Sequence, residues 1–275
     1  MVAFRTLVPS TLLSAVASTL LLLLSGPTVS ADGTDQVEAR FEIFGFAGLH
    51  LLTSRTIVEE GAGRYRIATD LDTRGLARVF VDLTSHSEVR GRLTREAPYP
   101  SGYRAEMRRN GLDRHYGLDY RGDGAVNVST PPVPGRPLFV AEQQIRGTVD
   151  QLTAFFMVER QVAQHGTCKL TIPVFDGGGF YDLRFTDVKL ETLSADGYQN
   201  FAGPAQVCTV ERNDVVLNPD RNEDTYRRGT IWYARLIAGD RLVPVRMEFD
   251  TAFGAVKGYL AELRGRGVDL RLMRE

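Results

Sequence analysis

Beyond its first thirty residues, the chain alternates hydrophobic and polar positions in many short runs. In RYRIATDLD (64–72), Tyr65, Ile67 and Leu71 alternate with polar residues, and RLVPVRMEFD (241–250) repeats the pattern. Such alternation is typical of antiparallel strands with one apolar and one solvated face. It predicts further strands at 37–44, 50–58, 77–83, 88–93, 103–109, 114–123, 125–129, 205–211, 231–237 and 256–263.

The middle of the chain, residues 135–166, loses this alternation and takes helical spacing. Thr148 and Gln151 have the form of a capping box, and Gly166 provides a stop, so a helix is predicted from Asp150 to Gln164. Its apolar side should lie against a sheet. The predicted fold is therefore mainly β: a large curved antiparallel sheet, open or spiral and β-barrel-like, with one central helix packed against it.

The first 31 residues have the parts of a secretory signal peptide. Arg5 precedes an apolar run that ends in five consecutive leucines, 20–24, and Val29 and Ala31 take the small-residue positions before a cleavage site. The uncharged stretch 6–31 is also long enough for an uncleaved anchor, although its Ser, Thr and Pro content favours cleavage. We expect a signal peptide at 1–31 and one exported domain at 32–275, periplasmic, soluble, without a membrane span and not lipidated, since no cysteine lies near the junction.

Charge and cysteine content narrow the class of partner. The net charge is −1, which argues against a nucleic-acid binder, because such proteins neutralise phosphates with basic residues. Cys168 and Cys208 are the two cysteines of the chain. In an oxidising compartment an isolated pair most simply forms one disulfide.

The stretch CKLTIPVFDGGGFYDL, residues 168–183, contains three consecutive glycines. A phosphate-binding loop would open a helix, whereas the residues after the glycines alternate like a strand. Asp176-Gly177 between two alternating runs instead indicates a hairpin, because glycine supplies the positive φ of the turn. The predicted turn comprises Asp176, Gly177, Gly178 and Gly179.

No catalytic, metal or cofactor motif emerges. The four histidines, His50, His86, His115 and His165, share no ligand-type spacing, and neither G-x-S-x-G nor H-E-x-x-H occurs. The D-x-N-x-D run at 220–224 starts like a calcium loop but lacks its glycine and its closing glutamate, so it is interpreted as a polar loop. No catalytic residue, metal or cofactor is therefore predicted.

Aromatic residues are the remaining candidates for a binding site. Tyr181 and Phe185 follow the hairpin on one face of a strand, and Trp232 and Tyr233 are adjacent and should take opposite faces. Two interpretations stay open: these side chains form the core of the sheet, or they line a lipophilic groove.

One series of motifs resembles the exported bacterial family known as domain of unknown function 3108. The series is Cys168, V-F-D-G, Tyr-Asp-Leu, Gly203-Pro204-Ala205 and Cys208. The tryptophan strand and the P-V-R strand at 244–246 add to the likeness, which covers about residues 37–263. Members often carry arginines after V-F-D-G, where this chain has Gly178 and Gly179. The resemblance implies a Gram-negative envelope protein, no established activity, and a curved sheet wrapped around a helix.

Three functional hypotheses follow. The first is a non-catalytic periplasmic protein that binds an apolar ligand or an envelope partner (a lipid, a lipopeptide or a protein) and supports envelope integrity. The second is a hydrolase of cell-wall or lipid substrates that uses dispersed His, Asp and Ser residues. The third is a scaffold whose groove is filled by the central helix. The sequence leaves the oligomeric state open.

Overall fold

The computed structural model describes residues 35–131, 135, 138–177, 179–195, 197–216, 226–251 and 254–273. Within them, fourteen strands form one antiparallel sheet. The strands are β1 (Asp35–Phe44), β2 (His50–Gly61), β3 (Arg64–Thr73), β4 (Leu83–Leu93), β5 (Pro98–Arg109), β6 (Leu112–Tyr120), β7 (Val126–Thr130), β8 (Leu170–Phe175), β9 (Phe180–Leu193), β10 (Gly203–Val216), β11 (Arg228–Ala234), β12 (Val243–Thr251), β13 (Gly254–Gly265) and β14 (Val268–Arg271).

The strand order is β7-β6-β5-β4-β3-β2-β1-β13-β12-β11-β10-β9-β8, with β14 paired to β13. Strands β7 and β8 stand at opposite ends of this path and do not pair with each other, so the sheet is not closed. The predicted class, a mainly β and open barrel-like sheet, is confirmed.

Two helices accompany the sheet in the described residues: α1 (Ala77–Phe80) and α2 (Gln151–His165). Helix α2 contacts both halves of the sheet. Phe156 packs into a core cluster with Tyr65 and Leu118 of the N-terminal half. Ala154 and Val158 pack into a second cluster formed by β8 to β11. The helix therefore occupies the concave side of the curved sheet.

The predicted helix is confirmed, but its predicted cap is wrong. Asp150 caps α2, since its carboxylate accepts a 2.9 Å hydrogen bond from the Thr153 amide. The Thr148 hydroxyl instead donates to the Ile145 carbonyl at 2.7 Å, within the preceding turn. Gly166 ends the helix in the left-handed conformation, as the sequence predicts.

One predicted strand is also wrong. Residues 77–83 begin with α1 rather than with a strand, and β4 starts only at Leu83. Gly75 has a φ of 51°, which turns the chain after β3 and makes 74–82 the connection between two neighbouring strands. Residues 79–81, Val-Phe-Val, are of types common in strands, but no strand of the sheet pairs with them. Strand β14 was not predicted from the sequence.

Candidate functional site

Cys168 and Cys208 form a disulfide, with their Cα atoms 6.0 Å apart. Both are fully buried beside α2. The bond joins the segment that follows the helix to β10, and the Asp187 side chain on β9 accepts a 2.6 Å hydrogen bond from the Cys168 amide. It therefore fixes the exit of the helix against the sheet.

Residues 176–179 connect β8 to β9, and Gly178 lies outside the described residues. The Asp176 carboxylate accepts hydrogen bonds from the Gly179 amide at 2.8 Å and from the Tyr181 hydroxyl at 2.9 Å. Gly177 has a φ of 84°, and a Cβ there would lie 2.6 Å from the Tyr116 ring of β6. This turn thus packs closely against the other half of the sheet.

The four aromatic residues proposed from the sequence as a ligand-binding wall are all buried. Tyr181, Phe185 and Tyr233 belong to the cluster around α2, and Trp232 belongs to a different cluster. Trp232 lies under the Arg246 guanidinium, 4.7 Å from the ring centroid, and donates to Glu191. Packing accounts for these side chains without a ligand, so their role as a ligand-binding wall stays a prediction.

Two concave features lie on the outer face of β1 to β6. One groove of about 590 Å³ crosses β1 to β3, and a second of about 300 Å³ crosses β3 to β6. Both are lined by Asp70 and Asp72, so they adjoin. We call the two together the outer groove.

A row of ionisable side chains in direct cross-strand register crosses this outer face. Each residue is the pairing partner of the next on the neighbouring strand, from β14 to β6: Arg271, Glu262, Arg40, Arg55, Asp70, His86, Glu106 and His115. Opposite charges in directly opposed positions stabilise each other, as Arg40 and Glu262 do at 2.9 Å. The Arg40 guanidinium is the main cause that lowers the pKa of Glu262.

Glu42 is the most enclosed charge of the outer groove. It is buried and paired with Arg40. Its other oxygen lies 2.7 Å from Nε2 of His50 and accepts a 2.6 Å hydrogen bond from the Thr53 hydroxyl. Burial, followed by the charge of Arg74, lowers the pKa of His50. The carboxylate is therefore held by three side chains.

The structure brings two of the four histidines to one place. His86 and His115 both line the smaller part of the outer groove with Asp70 and Glu106. Nδ1 of His86 lies 2.7 Å from Asp70, and Nδ1 of His115 lies 4.0 Å from Glu106. All four side chains are about half exposed or more. His165 is the exposed last residue of α2.

Asp150, at the start of α2, is a fully buried carboxylate in the sheet interior. Thr153 donates to it through its amide and, at 2.7 Å, through its hydroxyl. Burial raises the pKa of Asp150 to about 6. The Tyr65 and Thr153 hydroxyls are 2.9 Å apart, which extends this buried polar chain to β3.

An ionic cluster joins α2 to the loops at one end of the sheet. Arg241, almost fully buried, donates to Glu60 and Glu159 at 2.9 Å each. Arg266 pairs with Asp240 at 2.7 Å. Burial raises the pKa of Glu159 to about 7 despite the adjacent Arg241.

The described ranges contain neither a membrane-spanning helix nor a metal-binding cluster. No helix there is long and apolar enough to cross a membrane. The same ranges hold no group of three or more His, Cys, Asp or Glu residues arranged to bind a metal. The D-x-N-x-D run at 220–224 and the predicted signal peptide at 1–31 lie outside the described residues.

The sequence model of the family described as "Protein of unknown function (DUF3108)" matches residues 40–261. The chain belongs to this family. No curated protein matches it.

A solved structure, a "Beta-barrel-like Protein of Domain of Unknown Function DUF1849 from Brucella abortus", is similar with a TM-score of 0.54. The match covers 84% of this chain and 98% of that chain, at 13% sequence identity. At this identity the similarity establishes a shared barrel-like fold alone. This chain and that DUF1849 protein thus share a barrel-like architecture.

Proposed function

We propose that this DUF3108 protein is an exported, non-catalytic protein of the bacterial envelope that binds a polar, charged partner along its outer groove. The observation that carries the proposal is the position of the described concavities. They lie on the charged outer face, whereas α2 and aromatic side chains fill the concave side of the sheet. An apolar ligand inside would have to displace this packing.

The chemistry of the outer groove suits a partner that carries both signs of charge. Arg40 and Arg55 lie next to Asp70 and Asp72 in the same groove. A peptide or a lipid headgroup with amino and acidic groups could pair with both sets. The signal peptide expected at 1–31 and the disulfide are consistent with an oxidising compartment outside the cytoplasm.

A swap of one cross-strand pair tests the proposal. Arg55 and Asp70 oppose each other on β2 and β3, so Arg55→Asp with Asp70→Arg keeps the pair and the net charge but inverts the pattern of the groove. Immobilised wild-type protein should retain an envelope component, and added salt should release it. The swap variant should not retain that component. Identical retention by both proteins would refute binding at this groove.

A hydrolase is the second candidate, because His86 and His115 share the outer groove with two carboxylates. Their exposure argues against it, since enzymes exclude bulk water from the reacting groups, which strengthens the electrostatic interactions there. Hydrolysis of cell-wall or lipid substrates that is lost in His86→Ala would favour this candidate over simple binding.

A further inference from the structure

Three loops project from the same end of neighbouring strands. Strands β1 to β6 form an up-and-down meander, and their ends at this side are in register. The connections β1–β2 (45–49), β3–β4 (74–82) and β5–β6 (110–111, with Leu112) therefore leave one common edge. We call these segments the rim.

The rim carries large aliphatic side chains that are open to solvent. Leu76 is 71% exposed, Val79 is 79% exposed and Leu112 is 68% exposed, and Leu49 is 38% exposed. Leu76 and Val79 lie three residues apart across the turn of α1, whose Ala77 points inward and is buried. Each of these side chains forgoes in water the free energy that burial of its apolar area would give.

The opposite end of the same strands has a different composition. The turns between β2 and β3, β4 and β5, and β6 and β7 contain Ala, Gly, Thr and charged residues and no large aliphatic residue. Tyr99, half exposed near that end, lies under the Arg92 guanidinium at 5.3 Å. The exposed aliphatic side chains are therefore a property of one end of the meander.

Arginines surround the aliphatic tips. The segments 72–84 and 107–115 contain five arginines and three aspartates. The arginines are Arg74, Arg78, Arg108, Arg109 and Arg114, and the aspartates are Asp72, Asp82 and Asp113. The three pairs described, Arg74–Asp72, Arg78–Asp82 and Arg108–Asp113, are 3.2 to 3.8 Å long and largely exposed, so they are weak. The rim and the strand ends beside it thus combine aliphatic side chains with five arginines against three aspartates.

We propose that the rim is a membrane-docking surface that inserts Leu76, Val79 and Leu112 into the interface of a bilayer with anionic lipid. Strands in a sheet are about 4.8 Å apart, so neighbouring tips stand roughly 10 Å apart. Separate apolar tips suit a lipid surface, which accepts each one between headgroups, better than a protein partner, which would need one continuous patch. The arginines face the headgroup phosphates. Arg74 and Arg108 line the outer groove as well, whereas the exposed aliphatic side chains of the rim do not.

Vesicle flotation tests the proposal with the purified chain. The probes are vesicles of phosphatidylethanolamine with about one quarter phosphatidylglycerol, compared with vesicles of phosphatidylcholine alone. The wild type should float with the anionic vesicles, and Leu76→Ser with Val79→Ser should lower the partition coefficient about tenfold or more, since each exposed aliphatic side chain adds apolar area to the interaction. Because both side chains are exposed, folding should be unaffected.

The matched control is Val188→Ser with Leu190→Ser on β9. These two side chains are 52% and 78% exposed and belong to β9, not to the segments that define the rim. The control should bind vesicles like the wild type. Absence of wild-type flotation, or equal loss in both double variants, would overturn the proposal. A dimer that depends on the rim, seen by light scattering without vesicle binding, would assign the rim to a second copy and also overturn it.

Discussion

Tyr65 on β3 and Thr153 on α2 meet through their hydroxyl groups, with the two oxygen atoms 2.9 Å apart and both residues buried. The Tyr65 ring also stacks on Phe156 of the same helix, 5.5 Å between centroids. Eighty-eight residues separate Tyr65 from Thr153. The contact therefore holds α2, which connects the two halves of the sheet, against the N-terminal half.

Phe156→Ala should lower the free energy of unfolding by about 3–5 kcal/mol, the usual cost when a buried phenylalanine leaves a cavity. Phe156 belongs to the core cluster that also contains Tyr65 and Leu118, and the surrounding side chains can move only a little to fill the cavity. Urea unfolding followed by circular dichroism measures the change. Leu190→Ala, at an exposed position, should change it by less than about 0.5 kcal/mol. Equal effects of the two substitutions would mean that α2 is not packed as described.

Loss of the disulfide should also destabilise the fold. The bond closes a loop of 40 residues between Cys168 and Cys208, which corresponds to about 4 kcal/mol in the chain-entropy model. Cys168→Ala with Cys208→Ala should match the reduced wild type in denaturant unfolding. Two reactive thiols in denatured, unreduced protein isolated from an exporting host would show that the bond does not form.

Arg241 should be costly to replace because it lies between two carboxylates. Removing one partner of a buried ion pair leaves an uncompensated charge, so Arg241→Met should cost about 3–5 kcal/mol. Arg78→Met, at an exposed pair, should cost less than about 1 kcal/mol. Adding Glu159→Gln to Arg241→Met should recover part of the loss. An unchanged stability in Arg241→Met would contradict the assigned cluster.

Asp150 predicts an unusual pH dependence. Burial raises its pKa from 3.8 to about 6 on folding, so between these values the folded chain holds a proton that the unfolded chain has lost. This group's contribution to stability is complete below pH 3.8, falls as the pH rises to about 6, and stays constant above.

Asp150→Asn keeps the oxygen that accepts from the Thr153 amide and removes the titration. Its stability relative to the wild type should rise by up to about 3 kcal/mol between pH 4 and pH 7, since two pKa units correspond to about that free energy. Urea unfolding at each pH measures the difference. A constant difference, or one that falls with pH, would refute the buried titration.

The sequence predicts the local elements well where one physical rule decides them. Alternation identified most strands, and Gly166 identified the end of α2. The strand predicted at 77–83 was wrong because its apolar residues are not paired in the sheet. Val79, for example, is exposed at the tip of a loop. The sequence predicted Thr148 as the cap, whereas in the folded chain Asp150 takes that position.

The outer groove was not predicted, because it depends on register. The sequence shows that Asp70, His86 and Glu106 are polar positions of three strands, but nothing local says that they oppose one another. The only available signal was the density of charge on the polar faces of the first six strands. The burial of the four aromatic residues was easier to predict, because large aromatic side chains on strands favour the core. Their role as a ligand-binding wall stays a prediction.

The central claim is that the partner binds the outer face and that α2 fills the interior. Site-specific photo-crosslinking in the envelope tests this most directly, with a diazirine amino acid at Thr84, which lines the outer groove, or at Met157, partly buried on α2. The account predicts an adduct with an envelope component at position 84 and none at 157. An apolar molecule captured at 157, with no adduct at 84, would contradict it.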